Sequence, residues 1–146
     1  MKSIVIYDSN FGNTKLVAEA IAKALSAKTA FVDDMSFSKI EDYDLVVVGS
    51  PIIGWKPSEK MGIFLANIND GQLSNVRVAT FDTRVKLFIH GDAMAKIAKL
   101  LEEAGGKIVV ESMPFYVKGQ NGPLLEGEID KAKSWAKEIL NKVSKG

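Results

Sequence analysis

Cysteine is missing from this 146-residue chain, and histidine occurs only once, as His90. The first absence excludes disulfide bonds, thiolate metal sites and a cysteine nucleophile. The second excludes zinc sites built from several histidines and leaves a serine hydrolase mechanism with one candidate base. Paired aspartates at 33–34 and at 42 and 44 fit solvated turns better than a metal site. The sequence therefore predicts neither catalytic residues nor a metal centre.

An excess of one charge and long apolar runs are also missing. The 19 basic and 18 acidic residues give a net charge of +1, so no basic arm indicates a nucleic-acid partner. No apolar run approaches the roughly 20 residues that cross a bilayer. The first residues show no pattern of a secretory signal. We therefore expect a cytoplasmic protein that binds neither nucleic acid nor a membrane.

Apolar residues make up 47% of the chain, and their spacing alternates between two patterns. Short β-rich runs predict strands at residues 4–7, 29–32, 45–48, 76–81 and 108–110. Between and after them, apolar residues three and four apart predict helices at 16–25, 58–68, 94–104 and 129–143. This alternation predicts a single α/β domain over residues 1–146, a doubly wound parallel sheet of five strands with helices on both faces.

Ligands of doubly wound sheets bind at the carboxyl ends of the strands, which directs attention to three loops. The first, at 8–14, reads Asp-Ser-Asn-Phe-Gly-Asn-Thr and leads directly into a helix. Its hydroxyls, amides and glycine lie where the free N–H groups of a helix N-terminus bind anions. The loop lacks the lysine of a Walker motif, which favours a monophosphate. The same residues also cap helices that bind nothing.

The second loop, at 49–57, is apolar and rich in glycine and proline. A flat aromatic ligand covered by Ile53 or Trp55 would explain it, as would a tryptophan that plugs the core. The third, at 81–91, offers Arg84 and Lys86 either to an anionic ligand or to solvent.

Two of these loops carry a family resemblance. The pattern S-x-x-G-x-T at 9–14 resembles the FMN-phosphate loop of flavodoxins, and G-S-P-x-x-G at 49–54 resembles their second flavin loop. The segment before the predicted fifth strand also matches the family: it has a glycine at 91, then a helix, and then a glycine pair at 105–106. The resemblance covers essentially the whole chain. It implies a flavodoxin-like, Rossmann-like fold in the strand order 2-1-3-4-5, bound FMN, and electron transfer between redox partner proteins by a monomer or weak dimer.

The resemblance also implies a set of cofactor-binding residues. The phosphate would be held by Ser9, Asn10, Phe11, Gly12, Asn13 and Thr14. The ring would be lined by Ser50, Pro51, Ile52, Ile53, Gly54 and Trp55. The third loop would add Asp82, Thr83, Arg84 and Phe88.

Three features of the chain depart from the family pattern. Phe11 replaces a usual threonine, Trp55 stands where an acidic residue is common, and the stacking tyrosine of the third loop is missing. Positive charge near the ring, from Arg84 and Lys86, would stabilise an anionic reduced flavin. We therefore expect a less negative potential for the second electron than in a typical flavodoxin.

The resemblance leaves more than one function open. An electron carrier needs no catalytic acid or base, in keeping with one histidine and no cysteine. The missing tyrosine would also leave room for the nicotinamide of an FMN-dependent NAD(P)H quinone or nitro reductase. A third alternative is a flavodoxin-like module that has lost FMN. A response-regulator receiver is excluded because the third strand ends in Gly49 and Ser50 without the aspartate that accepts phosphate.

Overall fold

The computed structural model of the chain describes residues 1–86 and 91–145. Within these residues the strands are β1 Ser3–Tyr7, β2 Lys28–Phe31, β3 Leu45–Ile53, β4 Lys56–Pro57, β5 Arg77–Val85, β6 Lys107–Ile108 and β7 Met113–Val117. The α-helices are α1 Asn13–Leu25, α2 Glu59–Ala66, α3 Met94–Glu103 and α4 Glu128–Lys145. Two short 3₁₀ helices, Val32–Asp34 and Phe37–Asp42, lie between β2 and β3.

The parallel sheet has the order β2-β1-β3-β5-β6, with β7 continuing beside β5. The predicted order 2-1-3-4-5 is therefore confirmed, with β5 as the fourth position and β6 and β7 sharing the fifth. The predicted fifth strand at 108–110 is confirmed only in part: Ile108 lies in β6 and the Val109 N–H donates to the Val78 carbonyl at 3.1 Å, but pairing with β5 then stops until Met113. Two side-chain contacts hold the segment between β6 and β7. The Trp135 indole donates to the Glu111 carbonyl at 3.2 Å, and the Thr80 and Ser112 hydroxyls lie 2.6 Å apart.

The two central strands extend further than the sequence indicated. β3 continues through residues 49–53 and β5 through 82–85, which were assigned to loops. The two strands stay paired as far as Pro51 and Thr83, with Ser50 opposite Asp82. Glycine and proline in the first segment and charged side chains in the second led the prediction to assign loops, but Ser50 and Asp82 find hydrogen-bond partners inside the protein.

Alternate residues of the strands form two separate cores. Val5, Val47 and Phe81 face α1 and α4, whereas Ile6, Val48 and Val78 face α2 and α3. This confirms helices on both faces of the sheet. Each helix contributes the apolar stripe that its spacing predicted, including Ile21 of α1 and Ile97 of α3.

An aromatic cluster fixes the packing on the first face. Phe81, Phe115 and Trp135 are buried, and their rings meet edge to face with centroids about 6 Å apart, at 5.8, 6.1 and 6.1 Å. Gly49 lies beside Phe81 on the neighbouring strand, and a Cβ atom at this position would overlap the Phe81 ring. Only glycine leaves room for that ring.

We predict that Gly49→Ala lowers the free energy of unfolding by about 1–3 kcal/mol, because the added methyl overpacks the aromatic cluster. Gly62→Ala is the matched control. Gly62 lies inside α2 with no atom within 4 Å of an added Cβ, so alanine should raise stability by roughly 0.5–1 kcal/mol. Urea unfolding of both variants measures the difference. Equal effects of the two substitutions would contradict this account of the cluster.

Candidate functional site

A groove of about 280 Å³ opens at the carboxyl ends of the central strands. It lies between the loop after β1, the end of β3, the end of β5 and the turn after β7, which is where doubly wound sheets bind ligands. Its lining residues are Ser9, Asn10, Phe11, Asn13, Thr14, Pro51, Ile52, Ile53, Gly54, Trp55, Thr83, Arg84, Val85, Gly91, Val117 and Gln120. The structure thus brings together most of the residues that the sequence pointed to.

The polar wall of the groove is the loop between β1 and α1. Gly12 takes a left-handed conformation with φ of 89° at the start of α1, and its position supplies no side-chain cap. The Ser9 hydroxyl instead accepts from the N–H of Gly12 at 3.1 Å and of Lys15 at 3.4 Å. The other N–H groups of a first helical turn have no intrahelical acceptor. This end of α1 is therefore suited to an anion.

Two contacts hold the start of α1 against the rest of the site. The Thr14 hydroxyl is buried and lies 2.8 Å from that of Thr83 at the end of β5. On the other side, Gly122 packs so tightly against Asn13 that a Cβ atom would lie 2.6 Å from the Asn13 amide oxygen. These contacts fix the polar wall relative to β5 and to the turn after β7.

The apolar wall is the hairpin that joins β3 and β4. Ile53 pairs with Lys56, and the two residues between them, Gly54 and Trp55, both have positive φ, at 59° and 70°. Positive φ at both central residues is typical of the tight turn that matches strand twist, but it is rare for a bulky residue such as tryptophan. The Trp55 side chain remains 58% exposed at the edge of the groove.

Residues at and before the start of α3 hold the Trp55 backbone in its unusual conformation. The Trp55 carbonyl accepts from the Asp92 N–H at 3.2 Å and from the Lys96 ammonium at 3.1 Å. Gly91 packs directly on the Trp55 backbone, where a side chain would clash. Strain of this kind persists where surrounding contacts impose it, and it is concentrated at functional sites.

Three of the predicted residues do not line the groove. Ser50 is fully buried, where its hydroxyl donates to the Pro51 carbonyl and accepts from the Ser58 N–H. Asp82 is also fully buried, and Gly12 shapes the loop through its conformation alone. Phe88, the fourth predicted residue that is not in the lining, lies outside the described residues.

Asp82 and Arg84 form a buried ion pair beneath the groove. The guanidinium donates to the two Asp82 oxygens at 2.9 and 2.6 Å, and one of these oxygens also accepts from the N–H groups of Ala93 and Met94 at the start of α3. Burial lowers the pKa of Arg84, but the hydrogen bonds and charge of Asp82 outweigh it, so the pKa lies above its ordinary value. The pair carries no net charge.

This pairing changes the electrostatic expectation drawn from the sequence. Arg84 does reach the groove, but the neighbouring carboxylate offsets its positive charge. Lys86 is exposed and lies over the Tyr116 ring, with its ammonium 5.4 Å from the ring centroid. The lining therefore supplies less positive charge to a bound ligand than the residue types alone indicated.

Sequence reasoning missed four lining residues: Val85, Gly91, Val117 and Gln120. Val117 and Gln120 reach the groove because β7 pairs with β5 and the following turn folds back, with the Lys118 N–H donating to the Pro123 carbonyl at 2.8 Å. The composition of that turn, Gly-Gln-Asn-Gly-Pro, was a visible signal for a reversal of the chain. Its place beside the groove depended on β7, which the sequence did not reveal.

Comparison with known proteins settles the family. The flavodoxin family model matches residues 5–139. An uncharacterized protein of Methanocaldococcus jannaschii is 30% identical over 96% of this chain and 99% of its own length. The chain belongs to the flavodoxin family.

Solved flavodoxin structures have the same fold. Oxidised flavodoxin 1 from Bacillus cereus has a TM-score of 0.82 at 20% identity, over 97% of this chain and 98% of its own. A flavodoxin described as WrbA-like, from Agrobacterium tumefaciens, has a TM-score of 0.78 at 16% identity, over 99% and 98%. In the part of the chain that the structure describes, no helix is long and apolar enough to cross a membrane. Residues 1–86 and 91–145 also hold no cluster of three potential metal ligands.

We predict that Asp82→Ala lowers the free energy of unfolding by about 3–5 kcal/mol, because it leaves a buried guanidinium without its carboxylate. Asp92→Ala is the control. Asp92 is half-buried, 4.0 Å from Arg84, and accepts from the Ala95 N–H, so its loss should cost about 1 kcal/mol. Thermal and urea unfolding compare the two. A loss at Asp82 no larger than at Asp92 would show that the ion pair does not support the site.

Proposed function

We propose that this flavodoxin binds FMN in the groove and carries electrons between redox proteins. The observation that carries the proposal is the placing of a helix N-terminus, whose N-cap glycine has no side chain, opposite an apolar hairpin across one groove. The first suits a phosphate group and the second suits a flat aromatic ring. Family membership supports the same cofactor, since flavodoxins bind FMN.

The residues present fit the two ends of FMN. Ser9, Asn10, Asn13 and Thr14 would hold the phosphate through hydroxyls, amides and backbone N–H groups, with no cation among them. Pro51, Ile52, Ile53 and Trp55 would contact the ring and keep water from it. When bound, FMN supplies reversible one- and two-electron transfer.

The lining favours electron transfer over acid–base chemistry. Among the described lining residues Arg84 alone has a charged side chain, and it is paired with Asp82. A group that moves protons during catalysis needs a pKa near the working pH, which an arginine does not have. The chain's own contribution is therefore to bind the cofactor, exclude water from one side and leave an edge of the groove open.

An FMN-dependent NAD(P)H quinone or nitro reductase is the second candidate. The fold is similar both to a WrbA-like flavodoxin and to Bacillus cereus flavodoxin 1. The fold alone therefore does not distinguish a reductase from an electron carrier. If the protein is an electron carrier, we expect the FMN-loaded protein with NADPH and a quinone to consume NADPH no faster than free FMN does. Faster turnover that saturates with NADPH would favour the reductase.

The first test of FMN binding uses Asn13→Asp, which adds one negative charge without changing the shape of the side chain. Asn13 is the first residue of α1, where a carboxylate favours the helix but repels a phosphate. We expect FMN affinity to fall about tenfold or more, while the affinity for riboflavin, which has no phosphate, stays unchanged. Quenching of flavin fluorescence measures both.

Asn141→Asp is the matched control, since Asn141 is exposed near the end of α4, away from the groove. It should leave both affinities unchanged. If the unmodified protein quenches neither flavin, it does not bind FMN. If Asn13→Asp weakens FMN and riboflavin equally, the phosphate does not bind at α1.

The second test uses Trp55→Gly, which removes an exposed ring but keeps a residue suited to positive φ. We expect FMN and riboflavin affinities to fall together by about tenfold, because the ring contact is shared by both flavins. Stability should stay within about 1 kcal/mol, since relief of left-handed strain offsets the flexibility of glycine. A loss confined to FMN would place Trp55 at the phosphate rather than the ring.

A further inference from the structure

Exposed lysines stand next to residues that line the groove. Lys15, Lys56, Lys86 and Lys118 each directly follow a lining residue, namely Thr14, Trp55, Val85 and Val117. A fifth, Lys96, donates to the Trp55 carbonyl at 3.1 Å. We call these five residues the lysine rim. They come from five different segments of the chain that meet at the groove.

Three carboxylates also stand next to lining residues. Asp8 and Asp82, which stand beside lining residues, are both buried, and Asp82 is paired with Arg84. Asp92 is half-buried and bonded to the Ala95 N–H. The five lysines thus outnumber the three carboxylates that adjoin lining residues, in a chain whose net charge is only +1.

Apolar side chains lie inside the lysine rim. Phe11, Ile53 and Trp55 line the groove and are 54%, 39% and 58% exposed. A protein–protein interface characteristically has an apolar, aromatic centre within a polar edge. The centre also lies at the opening of the groove, through which a bound flavin would exchange electrons.

We propose that the lysine rim docks a redox protein whose own cofactor is surrounded by carboxylates. The inference rests on the proposed function and adds the kind of partner. Complementary charge steers such a partner and raises its rate of association by about 10- to 1,000-fold at low salt. A dinucleotide fits the pattern less well, because a pyrophosphate needs cations that converge at one point, and the five lysines stand on separate segments of the chain.

Small charged oxidants test the sign of the potential at the groove. Bound FMN in its two-electron reduced, anionic form gives one electron to each of two hexacyanoferrate(III) ions, yielding FMN, a proton and two hexacyanoferrate(II) ions. Stopped-flow rates are compared with those for tris(phenanthroline)cobalt(III), a cation. From about 10 to 300 mM salt, the anion should slow by roughly tenfold and the cation should accelerate. The opposite slopes, or none, would overturn the inference.

Paired charge reversals assign the effect to residues. Lys56→Glu with Lys118→Glu should slow the anionic oxidant about tenfold at low salt and abolish its salt dependence. Lys28→Glu with Lys107→Glu makes the same change in net charge on exposed residues at the starts of β2 and β6, the opposite end of the sheet. This control should leave the rate within about twofold. Equal effects of the two double variants would overturn the assignment to the lysine rim.

Protein probes then test docking itself. Calorimetric titration with an acidic [2Fe–2S] ferredoxin should show a complex that the rim variant and salt abolish, whereas a basic c-type cytochrome should show none. A preference for the cytochrome would overturn the inference. This titration does not require bound FMN, so its result is independent of flavin binding. Absence of flavin binding would contradict the proposed function. Absence of a complex with the ferredoxin would contradict the proposal of an acidic partner.

Discussion

The Asp82 carboxylate joins the parts of the molecule that form the groove. It is fully buried at the end of β5, where it accepts from Arg84 and from the first N–H groups of α3. The start of α3 in turn fixes the hairpin, because Asp92 and Lys96 bond the Trp55 carbonyl. One buried charge thus positions a strand, a helix and a turn whose conformation would otherwise be unfavourable.

The same pair determines how charge is distributed at this end of the sheet. Arg84 reaches the groove as half of an ion pair, so the Asp82 carboxylate offsets the positive charge that it brings to the lining. The lysine rim is exposed to solvent, so dissolved salt screens its charge. In the proposals made above, cofactor binding and partner attraction would therefore depend on different residues.

Much of the architecture could be predicted because it depends on local patterns. The apolar runs at β1 and β3 and the helical stripes of α1 and α4 specify the fold, and the polar loop after β1 indicates an anion site. The ends of β3 and β5 could not be predicted, since Ser50 and Asp82 look like loop residues until their partners across the chain are known. The same holds for β7, whose Pro114 and flanking polar residues conceal a strand.

The division of the fifth strand into β6 and β7 affects how the molecule meets its neighbours. An uninterrupted edge strand offers unpaired N–H and C=O groups to other chains. Here one edge consists of two residues, a gap and a segment containing Pro114, while the other edge, β2, has four residues beginning with Lys28. Within residues 1–86 and 91–145, neither edge offers a long template for strand addition. Association through the sheet is therefore disfavoured, and the proposed redox partner would dock at the carboxyl ends of the strands instead.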